Sequence, residues 1–200
     1  MRKIGITGGV GSGKSKVLEY LGGMTGVSVY QADLIARQMQ MPGQKCYEDI
    51  IAHFGKGILN EDNTIDRKHL AEVVFQDKEE LHVLNHLVHP AVNQRIEELI
   101  REEEQKGTEI FVLEAALLTE PFYRQILDEI WYVYTEESVR RERLHTSRNY
   151  TDEKITSVMN AQPSEEQFRT FCDKVLDNTG DFEKTRKQID DLLRSSGKQE

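Results

Sequence analysis

The stretch Gly8-Gly9-Val10-Gly11-Ser12-Gly13-Lys14-Ser15 constrains this chain more than any other. It fits the pattern G-x-x-x-x-G-K-[ST], with Gly8, Gly13, Lys14 and Ser15 at the fixed positions. Ile4 and Ile6 alternate in the segment before it, as in a short strand. Val17, Leu18 and Leu21 recur at helical spacing after it. Strand, glycine loop and helix together make an anion nest. Consecutive backbone N–H groups converge on one point, and the positive end of the helix faces the same way. Glycines let the backbone close around phosphate oxygens. Lys14 is placed to reach β- and γ-phosphates, and Ser15 carries a hydroxyl that can ligate Mg²⁺. A glycine-rich turn can also be nothing more than a turn, but Lys-Ser in register with both flanks argues for phosphate. The spacing G-x-G-x-x-G of a dinucleotide fold is missing. Asp33 lies near the distance at which such a fold keeps its ribose-binding acid, which leaves that alternative reduced rather than removed.

Two hundred residues suffice for one substantial core, and 38% apolar with 30% charged residues suits a globular enzyme. A net charge of −9 without a long basic tract argues against a duplex-binding protein, so no nucleic-acid partner is expected. Cys46 and Cys172 form no metal-binding spacing, and free thiols point to a reducing compartment. No run of 18 apolar residues occurs and the first residues lack a signal-peptide pattern. A cytoplasmic protein with no membrane partner is therefore expected.

Strand signals fall at 3–7, 27–30, 110–113, 130–134 and 174–177, separated by helical stretches. This pattern predicts an α/β fold, a five-stranded parallel sheet flanked by helices. One P-loop kinase domain spans 1–200 in this reading. Its core is approximately 1–40, 108–137 and 172–200. A helical substrate-binding subdomain occupies approximately 41–107, and a lid approximately 138–171. His89-Pro90 is expected to end a helix bearing Leu81, Leu84, Leu87 and Val88. Thr151 is expected to cap a helix running to about Gln162-Pro163, and a last helix with Ile189, Leu192 and Leu193 to give way to a polar tail from Ser195.

Asp33 follows the second strand at the sheet edge where open parallel sheets hold ligands. Its position suits a helix N-cap and a catalytic base equally. Glu114 follows the third strand, where an acid can hold Mg²⁺ through water. Arg140, Arg141, Arg143 and Arg148 make a local positive patch in an acidic chain, either a solvated helix or a lid over phosphates. A GTPase switch would need an Asn-Lys-x-Asp motif, and none occurs. Asp177-Asn178-Thr179-Gly180 matches D-x-x-G but falls too late in the chain for a switch. A non-catalytic nucleotide-binding module would need neither Asp33 nor the arginines. Another small-molecule or nucleoside kinase of the P-loop type remains the alternative.

Several ordered motifs add to this. They are Ile6-Thr7 with the glycine loop, Ala32-Asp33-Leu34-Ile35-Ala36-Arg37, Ile65-Asp66-Arg67 with Leu70, His89-Pro90, Leu117-Leu118 with Glu120, Gln162, and Asp177-Asn178 with Gly180. In this set the chain resembles the dephospho-coenzyme A kinase family over nearly its full length. The resemblance implies transfer of a phosphoryl group from ATP, with Mg²⁺, to the ribose 3′-hydroxyl of dephospho-CoA. It implies Asp33 as the base and Lys14, Arg140 and Arg143 as catalytic cations. ATP would be held by Gly9, Val10, Gly11, Ser12, Gly13, Lys14, Ser15 and Lys16, with Asn178 near the adenine and Ser15 on the metal. Asp33, Arg37 and His89 would contact the acceptor. The chain departs from the family's usual pattern at Gln31, where Asp is common, at Lys16 for Thr, and at Ala116 for Pro. It also spaces Arg143 and Arg148 five apart rather than four.

Overall fold

A computed structural model describes residues 1–195. In chain order the elements are β1 (Arg2–Thr7), α1 (Lys14–Gly22), β2 (Val27–Gln31), α2 (Ala32–Met39), α3 (Lys45–Phe54), α4 (Arg67–Gln76) and α5 (Lys78–Lys106). They continue with β3 (Ile110–Glu114), α6 (Pro121–Ile126), β4 (Glu129–Tyr134), α7 (Glu137–Arg148), α8 (Asp152–Asn160), α9 (Glu165–Phe171), β5 (Lys174–Asp177) and α10 (Phe182–Ser195). The sheet order is β2-β3-β1-β4-β5. β1 pairs parallel with β3 and β4, and β4 pairs parallel with β5. All five strands fall within a residue of where the alternation placed them. The chain divides into two compact units, Met1–Val29 with the segment from Lys106 on, and Tyr30–Gln105.

The first unit contains the sheet centre. Ile4 and Ile6 of β1, Val112, Trp131, Val133 and Leu176 pack with Val17, Leu18 and Leu21 of α1 and Ile189 of α10. Central parallel strands are covered on both faces, which is why their runs are almost continuously apolar. On β4, the ring of Tyr132 stacks on Phe168 of α9, with centroids 4.7 Å apart and planes 8° from parallel. This core fixes the end of β1, and with it the start of the glycine loop.

The second unit is helical. Ile35, Ile50, Leu70, Val74, Val88, Val92 and Ile96 are buried there. Asp66 caps α4 by accepting from the Lys68 and His69 amides, both at 3.0 Å. The expected break at His89-Pro90 does not occur, and α5 runs straight through Pro90. Proline deletes one backbone bond and crowds the His86 carbonyl, a cost of roughly 3 kcal/mol. The buried stripe Val88, Val92, Ile96, Leu99 and Ile100 lies on both sides of the proline. Burying such side chains stabilises by about 1.5–3 kcal/mol each, which outweighs the defect.

Two short helices were not legible as expected. α6 opens with Pro121 at its first turn, where the missing N–H costs nothing. α9 opens with a full capping box, in which the Ser164 hydroxyl and the Gln167 side chain satisfy each other's backbone amides. Thr151 does cap α8. The polar tail expected after Ser195 lies outside the described residues. Among those described, no helix is long and apolar enough to cross a membrane.

Candidate active site

Between β1 and α1 the glycine loop is gripped from the far side by α7 and by the end of β5, all within the first unit. The Ser12 carbonyl is the focus of that grip. It accepts from Asn178 Nδ2 at 2.7 Å, Thr135 Oγ1 at 3.0 Å and Arg143 Nη1 at 3.4 Å. Arg143 Nη2 also donates to the Asn178 carbonyl at 2.8 Å. The Asn178 side-chain oxygen accepts from Thr185 Oγ1 at 3.0 Å, and Asn178 itself is buried. The carboxamide of Asn178 therefore serves as a brace beneath the loop. Thr135, buried at the end of β4, is a part of this brace that the sequence reading did not single out.

Arg140 lies along the loop one turn earlier on α7. Its Nε donates to the Val10 carbonyl at 2.8 Å. A Cβ on Gly9 would sit 2.5 Å from its Nη2, so only glycine allows the guanidinium this close. Gly13 is required for a different reason. Its φ of 82° is left-handed, and a Cβ there would collide with Asn178 Nδ2. No carboxylate pairs with Arg140 among the described residues, and burial pulls its pKa down. An arginine keeps its charge regardless. A half-buried cation with no carboxylate partner among the described residues, beside a nest of amides, favours an anion.

Lys14 opens α1. Its Nζ donates to the Gly8 carbonyl at 2.6 Å and lies 3.9 Å from Glu114 Oε1 at the end of β3. Ser15 is exposed on the next position of the helix. The Ser12 hydroxyl is buried with no hydrogen-bond partner among the described residues, a debt that a ligand oxygen can settle. The Lys16 amide donates to the Gly13 carbonyl at 3.0 Å, and its ammonium lies 4.5 Å above the Phe182 ring. The lysine that departs from the family pattern thus has a local partner.

Asp33, Arg37 and His89 belong to the second unit. Gln31 occupies the N-cap position of α2 and makes no side-chain cap bond, while Asp33 lies in the first turn, exposed. The capping alternative for Asp33 is therefore not realised. Its carboxylate gains only the favourable field of the helix start. Arg37 closes α2 and is exposed. Arg67, at the first turn of α4, has its pKa lowered first by burial and then by the nearby charge of Arg37. Neither arginine pairs with a carboxylate among the described residues. The sequence reading quoted Arg67 but gave it no role. The signal was present in the Asp-Arg pair, whose aspartate is committed to capping and leaves the arginine unopposed. His89 is exposed in the middle of α5.

Comparison with known proteins gives a consistent answer. The family model described as Dephospho-CoA kinase matches residues 2–184. A dephospho-CoA kinase of Carboxydothermus hydrogenoformans is 40% identical over 192 residues, covering 96% of this chain and 92% of the relative. One from Halalkalibacterium halodurans is 35% identical over 192 residues, covering 96% and 94%. The crystal structure of TT1252 from Thermus thermophilus superposes with a TM-score of 0.79 at 29% identity, covering 97% of each chain. Matched along almost its whole length by that model and by those relatives, the chain belongs to the dephospho-CoA kinase family of ATP-dependent enzymes.

Proposed function

We propose that the chain transfers the γ-phosphoryl group of ATP to the ribose 3′-hydroxyl of dephospho-CoA, giving CoA and ADP, with Asp33 as the general base. The observation that carries this reading is the convergence of Lys14, Arg140 and an unpaired Ser12 hydroxyl on one glycine loop. Phosphoryl transfer passes through a loose transition state, so positioning and charge stabilisation supply most of the catalysis. The loop amides and Lys14 hold the β- and γ-phosphates. Arg143 is committed to the Ser12 and Asn178 carbonyls and to Thr135, so it shapes the loop. Arg140 has fewer commitments and is the lid arginine left to meet charge on the transferring group. Asn178 supports the loop, and its contact with adenine is secondary to that task.

Mg²⁺ fits the donors present. A hard cation that keeps its waters needs few protein ligands, and the exposed Ser15 hydroxyl with phosphate oxygens suffices. Bound there, it would neutralise charge on the phosphate oxygens. Arg37 and Arg67, both without carboxylate partners among the described residues, suit the diphosphate of the acceptor, and His89 lies in the same helical unit. The activity belongs to the cytoplasm. Cys46 and Cys172 are unbridged, and burial raises both thiols, that of Cys172 to about 12, so neither is poised to react.

Asp33→Asn tests the base directly. It removes the proton acceptor and one favourable helix-start charge worth about 0.3–1 kcal/mol. General-base loss typically lowers rate about 10²–10⁴-fold. The expected result is a kcat at least ~100-fold down with ATP affinity and folding nearly intact. A folded Asp33→Asn enzyme that keeps most of its turnover would remove Asp33 from the chemistry.

A further inference from the structure

Gln162 sits in the short connection between α8 and α9, far from the glycine loop in sequence. Its side-chain Oε1 accepts from the Val10 amide at 2.9 Å and faces Arg140 Nη2 at 3.5 Å. Arg140 Nε in turn donates to the Val10 carbonyl at 2.8 Å. One residue of the loop, Val10, thus has both backbone groups tied, one to the arginine and one to the glutamine that also meets the arginine. Both partners of the amide are donors, so chemistry requires its oxygen to face them and leaves its NH₂ outside the ring.

The connection is built to hold this side chain still. The Gln162 amide donates to the Met159 carbonyl at 3.1 Å, closing the last turn of α8. Pro163 follows, and the Ser164–Gln167 capping box then starts α9. A fixed φ at Pro163 and two satisfied cap amides restrict the backbone on the other side. Ile155 of α8 and Phe168 of α9 are buried and seat both helices on the first unit. A rigid connection carrying a second acceptor to a guanidinium that has no carboxylate partner among the described residues is the arrangement expected where an arginine must be aimed.

We infer that Gln162 is a positioning residue for Arg140: through its carboxamide oxygen it locks the guanidinium to Val10 of the glycine loop, so that the charge meets the transferring phosphoryl group. This rests on the role proposed above for Arg140. Misplacement of a catalytic group by about 1 Å can cost 10²-fold in rate, so an acceptor that fixes the arginine has a kinetic consequence larger than its bond energy. With the acceptor gone, Arg140 keeps its bond to Val10 but can swing about it.

The test is a double-mutant cycle on the full chain with ATP and dephospho-CoA, using Gln162→Met, Arg140→Ala and the pair. Methionine matches the length of glutamine and removes the acceptor. Arg140→Ala should lower kcat about 10²–10³-fold, as loss of one charge-stabilising contact does. Gln162→Met should lower kcat about tenfold or more with KM for ATP within about twofold, and the pair should be no slower than Arg140→Ala alone. Gln162→Asn keeps the amide but withdraws it by one methylene. It carries the same expectation should the methionine variant fail to fold. An impaired Arg140→Ala beside a Gln162→Met enzyme of normal kcat overturns the role of Gln162. So does a pair whose losses multiply. A normal kcat for Arg140→Ala itself overturns the proposed role of Arg140, and the inference about Gln162 with it.

Discussion

Gly13→Ala is the substitution whose cost the geometry of the loop specifies most closely. Gly13 has a φ of 82°, and alanine in the left-handed region costs about 1–2 kcal/mol. The added Cβ also collides with Asn178 Nδ2 and comes within 3.3 Å of Arg143 Nη1. Asn178 must then give up its 2.7 Å bond to the Ser12 carbonyl, a net loss of about 0.5–1.5 kcal/mol. The loss is bounded because Thr135 and Arg143 still donate to the same carbonyl. Together these give a destabilisation of about 1.5–3.5 kcal/mol, or roughly 3–14 °C in melting temperature for a chain of this size. Urea or thermal denaturation with and without ATP measures it, and ATP affinity should fall with the distorted loop. Asn178→Ala supplies an internal check. It removes the atom that the added methyl group strikes, so the double variant should lose less than the two single losses combined. Full stability and unchanged ATP binding in Gly13→Ala would refute the placement of Asn178 beneath the loop.

Lys14→Ala removes the ammonium beside Gly8 and Glu114 while leaving the helix sound. Its kcat should drop about 10²–10³-fold, with a normal circular-dichroism spectrum, and near-normal turnover in the folded variant would sink the phosphate role of the loop. Tyr30 donates to Glu103 Oε1 at 2.8 Å, and its pKa is raised to about 12, first by burial and then by that hydrogen bond. The folded value lies above the unfolded value near 10, so the contribution is complete below about pH 10 and fades as pH rises toward 12. Tyr30→Phe should therefore lose about 0.5–1.5 kcal/mol at neutral pH, taken low because the hydroxyl is only partly buried, and the gap to wild type should close above pH 10. A gap that stays constant to pH 12 would contradict this pairing.

Much of the fold was legible because its signals are local and mutually consistent. Apolar runs such as Ile110–Leu113 and Ile130–Tyr134 mark buried parallel strands, and the loop pattern fixed the order of strand and helix around it. The misreadings have physical causes. Pro90 was read by its local effect, whereas tertiary burial of Val92 and Ile96 carries the helix across it. The helix α9 was missed although Ser164 and Gln167 stand at capping-box spacing, because only seven residues follow the cap. At the site, the loop, Lys14 and the arginine patch could be named from spacing. Which arginine braces and which remains available could not, since that depends on Thr135, Gln162 and Asn178, all distant in sequence from the glycine loop they contact. Asp33 could not be separated from a cap by position alone. Two residues of register, with Gln31 at the cap and Asp33 inside the first turn, decide it.

The central claim is the reaction itself, and the product identifies it most directly. The full chain is incubated with ATP, Mg²⁺ and dephospho-CoA, and the products are resolved by mass spectrometry with fragmentation to locate the new phosphate. The prediction is ADP and CoA in equal amounts, with the phosphoryl group on the ribose 3′-oxygen. Formation of ADP with dephospho-CoA unchanged, or a phosphoryl group at any other position, would contradict it.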